Sequence, residues 1–161
     1  MHRQECLCYK EQLHVLESRK QVMSEDHNLE RFVEAQNPVF DQVCAELRAG
    51  RKRSHWMWFI FPQIAGLGHS SMAVKFAISS RQEAEAYLAH EALGSRLRLC
   101  TQLVNDVEGR SIEEIFGYPD DLKFHSSMTL FANVRSENLV FSNALRKYFS
   151  GELDAQTIER L

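Results

Sequence analysis

A mainly α-helical, compact single domain with at most a small sheet is the fold class this sequence predicts, and three observations predict it. Apolar residues recur at helical spacing through several stretches. Capping residues and glycines bracket those stretches. The composition, 44% hydrophobic and 25% charged over 161 residues, is that of a globular chain, one long enough to bury about two thirds of its unfolded surface. No unit of about 20 to 50 residues recurs, which excludes a solenoid.

Residues 1–22 read as a leader or poorly ordered extension, although Leu13 and Leu16 fit a short amphipathic helix. Cys6 and Cys8, with His2 and His14 nearby, lack the C-x2-C spacing of a metal site, and no metal or cofactor is assigned. The globular domain is expected over 23–161. Ser24 or Asp26 can cap a first helix with the stripe Leu29, Phe32 and Val33. Asn37-Pro38 supplies a cap and a first-turn proline for a second, in which Val39, Val43 and Leu47 share a face before Gly50 closes it.

Further along, Ser80 to Glu83 has the capping-box pattern, opening "RQEAEAYLAH". Leu93, Leu97, Cys100, Leu103, Val104 and Val107 then trace one face of a longer helix that Gly109 ends. Ser111 to Glu114 repeats the box before "IEEIFG", and Leu139, Ala144, Leu145, Tyr148 and Phe149 mark a late helix closed by Gly151. Two stretches are ambiguous between helix and strand. In "HWMWFIFP" the bulky residues suit a buried strand, whereas Ser54 as cap and Pro62 as stop suit two helical turns. In "LKFHSSMTLFANV" near-alternation competes with the helical spacing of Phe124, Met128 and Phe131. Both are read as helices, the second because Pro119, Asp120 and Asp121 suit a helix amino terminus.

These features exclude some function classes. A membrane-spanning helix needs about 20 apolar residues, and Trp56 to Phe61 supplies a third of that. The amino terminus lacks the apolar core of a secretory signal, so a cytoplasmic location is the default. Cys44 and Cys100, lone cysteines inside apolar patterns, then read as buried free thiols. A formal charge of −3 gives no bulk attraction to nucleic acid, which is not expected as a partner, so anion binding must come from local clusters such as Arg51, Lys52 and Arg53.

The blocks "GRKRSHWMWFIFPQIAGLG", "AYLAHEALGSRLR" and "IFGYPDDLKFHSSMTLF" resemble the signature blocks of a largely bacterial family, domain of unknown function 1810. The likeness runs in matching order from about Leu29 to the end. Glu91 stands where the family pattern has a proline after the histidine, which affects the local turn only. The resemblance implies a small, mostly helical single domain and no established reaction. Some members carry the label calpastatin, but that inhibitor resembles a disordered, proline-rich chain, and this one has three prolines and a core.

Two stretches concentrate chemistry. In "RKRSHWMWFIFPQ", Trp56, Trp58 and Phe61 suit a pocket floor, with Lys52, Arg53 and His55 at its rim, for a flat and anionic ligand. Gln63 adds a side-chain amide, and Gly66 and Gly68 permit close backbone approach. The plain alternative is a core segment, a solvated basic rim and a turn. In "PDDLKFHSSMTLF", Asp120, Lys123 and Ser127 share a helical face, and Ser126, Ser127 and Thr129 place hydroxyls among residues expected to be buried. Here the plain alternative is a surface ion pair.

With His55 as general base and Asp121 and Lys123 as polar partners, the chain reads as an uncharacterised-family domain with a pocket for a small anionic, nucleotide-like or phosphorylated molecule. It would then be a hydrolase or transferase. The alternative is a non-catalytic protein- or ligand-binding interaction module. Convergence of the two stretches on one cavity is what distinguishes them.

Overall fold

The computed structural model describes residues 27–135 and 137–161, and among them the chain forms ten helices. They are α1 (Glu30–Gln36), α2 (Phe40–Arg48), α3 (Met57–Ile60), α4 (Ser71–Lys75) and α5 (Arg81–Ala89). After these come α6 (Glu91–Asn105), α7 (Ile112–Phe116), α8 (Asp120–Val134), α9 (Leu139–Phe149) and α10 (Ala155–Glu159). The extended pairing present is an isolated parallel bridge between Ile64 and Ile78, closed by Ala65 N–H to Ile78 C=O and Ile78 N–H to Gln63 C=O, each at 2.8 Å. The fold is mainly α, as expected, and both ambiguous stretches are helical: the first as the single turn α3, the second as α8.

Two long helices organise the domain. Helix α6 packs against α1, α2, α3, α5 and α9, and α8 packs against α5, α7, α9 and α10. Leu93, Leu97, Cys100 and Val104 form the buried stripe of α6. The second half of α8 has no polar face, since Ser126, Ser127, Met128, Thr129, Leu130 and Phe131 are all buried. A helix enclosed on every side carries no amphipathic signature, which is why its periodicity was ambiguous. Around α8 the aromatic core closes with Phe61 against Phe124 at 5.0 Å and Phe116 stacked on Phe124 at 4.9 Å.

Several start signals act differently from their sequence pattern. Ser24 and Asp26 lie outside the described residues, as do Cys6, Cys8 and the rest of the leader, and α1 begins after Leu29 without a side-chain cap. Asn37 ends α1 rather than capping α2, and its side-chain oxygen accepts from Arg96 Nη2 at 2.9 Å. Helix α2 starts one residue later than Val39. Ser80 does cap α5, but Glu83 turns its carboxylate to Ser79 and Arg31 instead of completing the box. The box at Ser111 and Glu114 is complete. Gly50, at φ +72°, ends α2 as its position implied.

Candidate functional site

The turn between α2 and α3 is built on one carboxylate. Glu46, only 7% exposed, projects from the last turn of α2 and accepts from Arg53 N–H, Ser54 N–H (2.6 Å), Ser54 Oγ (2.6 Å) and Trp56 Nε1 (3.1 Å). Burial pushes the Glu46 carboxyl up, but hydrogen bonds from the Ser54 and Trp56 side chains and the Arg53 and Ser54 backbone outweigh it and hold the group below the usual glutamate range. The basic block therefore wraps a buried acid, and Trp56 seals it from the core side at 1% exposure.

From that turn Lys52 reaches the amino terminus of α8. Its Nζ lies 2.9 Å from Asp120 Oδ2 and 5.2 Å from the Trp56 ring. Lys123, one turn into α8, takes the other oxygen of the same carboxylate at 3.3 Å and lies 5.1 Å from the ring of Trp58. One aspartate thus serves two lysines, and each lysine sits over its own tryptophan. Two cations on one anion leave neither lysine with a carboxylate to itself.

Beyond Lys123 a cavity of about 420 Å³ opens. One wall is Trp58, Gln63, Gly68, His69, Ser70 and, from α4, Ala73; the other is Lys123, His125 and Ser126 of α8; Asp154 and Gln156 of the carboxyl-terminal segment close the end. Trp58 is half-buried, and its indole N–H and the Gln63 amide have no hydrogen-bond partner among the described residues. Ser126 Oγ donates to Leu122 C=O at 3.1 Å and to Asp154 Oδ2 at 2.9 Å. His125 stacks on Phe149 at 4.0 Å, and its Nε2 lies 2.8 Å from Glu152 C=O. Because a carbonyl only accepts, Nε2 carries the proton and Nδ1 is the basic nitrogen when the ring is neutral.

Of the residues singled out from sequence, then, Trp58, Gln63, Gly68, Lys123 and Ser126 line this cavity together. Gly66 lines an adjoining crevice of about 10 Å³. The others lie elsewhere. Trp56 is core; Lys52 is held by Asp120 behind the wall; Arg53 contributes its backbone N–H to Glu46 while its side chain is exposed. His55 is exposed and does not line the cavity, nor does Asp121, whose Oδ1 is buried without a partner among the described residues. Ser127 is fully buried, with an Oγ that has no partner. The proposed grouping of His55, Asp121 and Lys123 is therefore not assembled on one wall.

The two glycines also have a packing reason, because a side chain at either would meet a neighbouring one. A Cβ on Gly68 would lie 2.6 Å from Ala73 Cβ, and one on Gly66, at φ +97°, would lie 2.9 Å from Arg160 Nε. His69, His125, Asp154 and Gln156 were missed. A capping pattern, Asp154 three residues ahead of Thr157, was available for the third. Nothing local marks Gln156, which reaches the cavity through the packing of α10 on α8, while His69 directly follows Gly68 and His125 lies inside the second stretch singled out, neither having been assigned to the site. No group of three His, Cys, Asp or Glu among the described residues could hold a metal ion, and none of the described helices is long and apolar enough to cross a membrane.

The profile of one protein family matches residues 26–161, which takes in all of the described chain. The chain belongs to the family described as protein of unknown function DUF1810. Among solved structures it is similar to the conserved hypothetical protein Rv1873 from Mycobacterium tuberculosis. The two are 58% identical, with a TM-score of 0.84 over 85% of this chain and 98% of that one. No curated protein matches. A DUF1810 member thus carries a fold shared closely with a bacterial relative, and its chemistry has to be argued from the cavity itself.

Proposed function

We propose that this DUF1810 domain binds a small anionic molecule, nucleotide-like or otherwise phosphorylated, in the cavity between α8 and the segment after α3. The observation that carries the reading is the meeting of Trp58, Gln63 and Gly68 with Lys123 and Ser126 around one space of about 420 Å³. A flat group can lie against the half-buried indole, and the anionic group can meet Lys123, whose attraction to Asp120 is shared with Lys52. The size suits a small ligand. Binding is the extent of the reading. Of the three residues expected to carry hydrolysis or transfer only Lys123 lines the cavity, which favours the ligand-binding alternative over turnover. Two buried cysteines without a disulfide, Cys44 and Cys100, accord with a reducing cytoplasmic setting.

The test is ligand-induced stabilisation. Adenosine 5′-monophosphate at about 100 times its dissociation constant should stabilise the protein by about 2.7 kcal/mol. Lys123→Met should abolish the effect while the circular dichroism spectrum stays that of the parent. Stabilisation that survives Lys123→Met, or none from any phosphorylated small molecule, overturns the assignment.

A further inference from the structure

Asp154 is an acid on the wall of a cavity read as a site for an anion, and its hydrogen bonds are one-sided. Oδ2 accepts from Ser126 Oγ at 2.9 Å, Thr157 Oγ1 at 2.6 Å and Thr157 N–H at 3.3 Å. Oδ1 accepts from no described residue, yet is not among the buried unpartnered atoms, so it is open to solvent on a half-buried residue that lines the cavity. The backbone is pinned as well: Asp154 N–H donates to Thr129 Oγ1 at 3.0 Å, and that hydroxyl donates to His125 C=O at 2.9 Å. One oxygen fixes the carboxylate, and the other is left open on a residue that lines the same cavity as Trp58 and Lys123.

We infer that Asp154 receives a hydroxyl of the bound molecule, and that the ligand is a phosphorylated sugar or nucleotide with free sugar hydroxyls. This rests on the reading of the cavity as an anion site. An ionised carboxylate only accepts, so a phosphate oxygen cannot be its partner and a donor must be. Hydroxyl-to-carboxylate bonds are short and about twice as strong as neutral ones. A carboxylate accepting from a ribose hydroxyl is a recurring solution in nucleotide sites. Lys123 and Asp154 therefore ask for different ends of one molecule, an anion and a hydroxyl donor. The uncommitted Gln63 amide, which both donates and accepts, can serve the part between them.

Isothermal titration of the full chain with three probes tests this: adenosine 5′-monophosphate, its 2′,3′-dideoxy analogue and inorganic phosphate. The nucleotide should bind about tenfold or more tightly than the dideoxy analogue. Asp154→Asn should cut that preference to about threefold or less, because the amide oxygen keeps the bonds from Ser126 and Thr157 while the open atom becomes a neutral donor, to which a hydroxyl makes only an ordinary hydrogen bond. Inorganic phosphate, which offers no sugar hydroxyl, should bind the variant at least as tightly as the parent, because the substitution removes a negative charge beside the anion site, and weaker binding overturns the placing of Asp154 there. Equal binding of the nucleotide and its dideoxy analogue overturns the hydroxyl assignment and leaves the anion site standing. Failure of all three probes to bind overturns both. If Asp154→Asn does not fold, equal binding of the two nucleotides by the parent still overturns the hydroxyl assignment.

Discussion

Lys52 over Trp56 and Lys123 over Trp58 are the same arrangement made twice around one carboxylate, Asp120, and their surroundings could hardly differ more. In the first pair Lys52 is 8% exposed, Trp56 is sealed, and its indole N–H is held by Glu46. In the second Lys123 is 25% exposed, Trp58 is half-buried, and its N–H is free of described partners. Burial and the bonded indole N–H mark the first pair as a structural joint between the α2–α3 turn and α8. The second has the same parts with capacity left over, beside a cavity. Spare hydrogen-bonding capacity, more than residue type, separates scaffold from candidate site here.

The contrast can be broken most directly at the tryptophans. Trp56→Ala should cost about 3 to 5 kcal/mol, because it empties a close-packed site and strips Glu46 of a donor, and Trp58→Ala about 1 kcal/mol. Urea denaturation of both variants reads the difference, and equal severe losses would show that Trp58 is also structural. A middle-sized effect belongs to Glu46. Glu46→Gln should cost about 1 to 2 kcal/mol at neutral pH, since the amide nitrogen opposes another donor.

That cost should depend on pH. The folded-state value of Glu46 lies below the unfolded one, so the stability it contributes is present above the ordinary glutamate range of about 4.3 and is lost as pH falls through the folded value. Denaturation midpoints of parent and variant should thus converge on acidification, and parallel curves would refute the account. Smallest are the lysines. Lys52→Met should cost about 1 kcal/mol and Lys123→Met under about 0.5 kcal/mol, the second pair being more exposed and screened. Thermal melts at low and high salt would sharpen this, and a larger loss at Lys123 would reverse the assignment of joint and site.

Legibility followed the same division. Helices α5, α6, α7 and α9 were readable because each keeps an apolar stripe, a capping residue or a closing glycine in its own segment. The short α4 and α10 have caps, Ser70 and Asp154, but too few residues for a periodic pattern to stand out. In the site, Trp58, Gln63, Lys123 and Ser126 were conspicuous by type. Trp56 and Lys52 were equally conspicuous, and nothing in "RKRSHWMW" distinguishes the tryptophan that is buried from the one that lines a space.

By itself the sequence determined the helical class, most of the long elements and the two stretches in which polar and aromatic chemistry is concentrated, because those follow from local spacing and capping. Only the tertiary structure decided that Glu46 would consume the donors of the basic turn, that Asp120 would be shared by two lysines, and that Asp154 of the last short helix would meet Ser126. Each of these joins residues through the packing of separate helices. Partnership at that range depends on where whole elements dock, and no local periodicity encodes it.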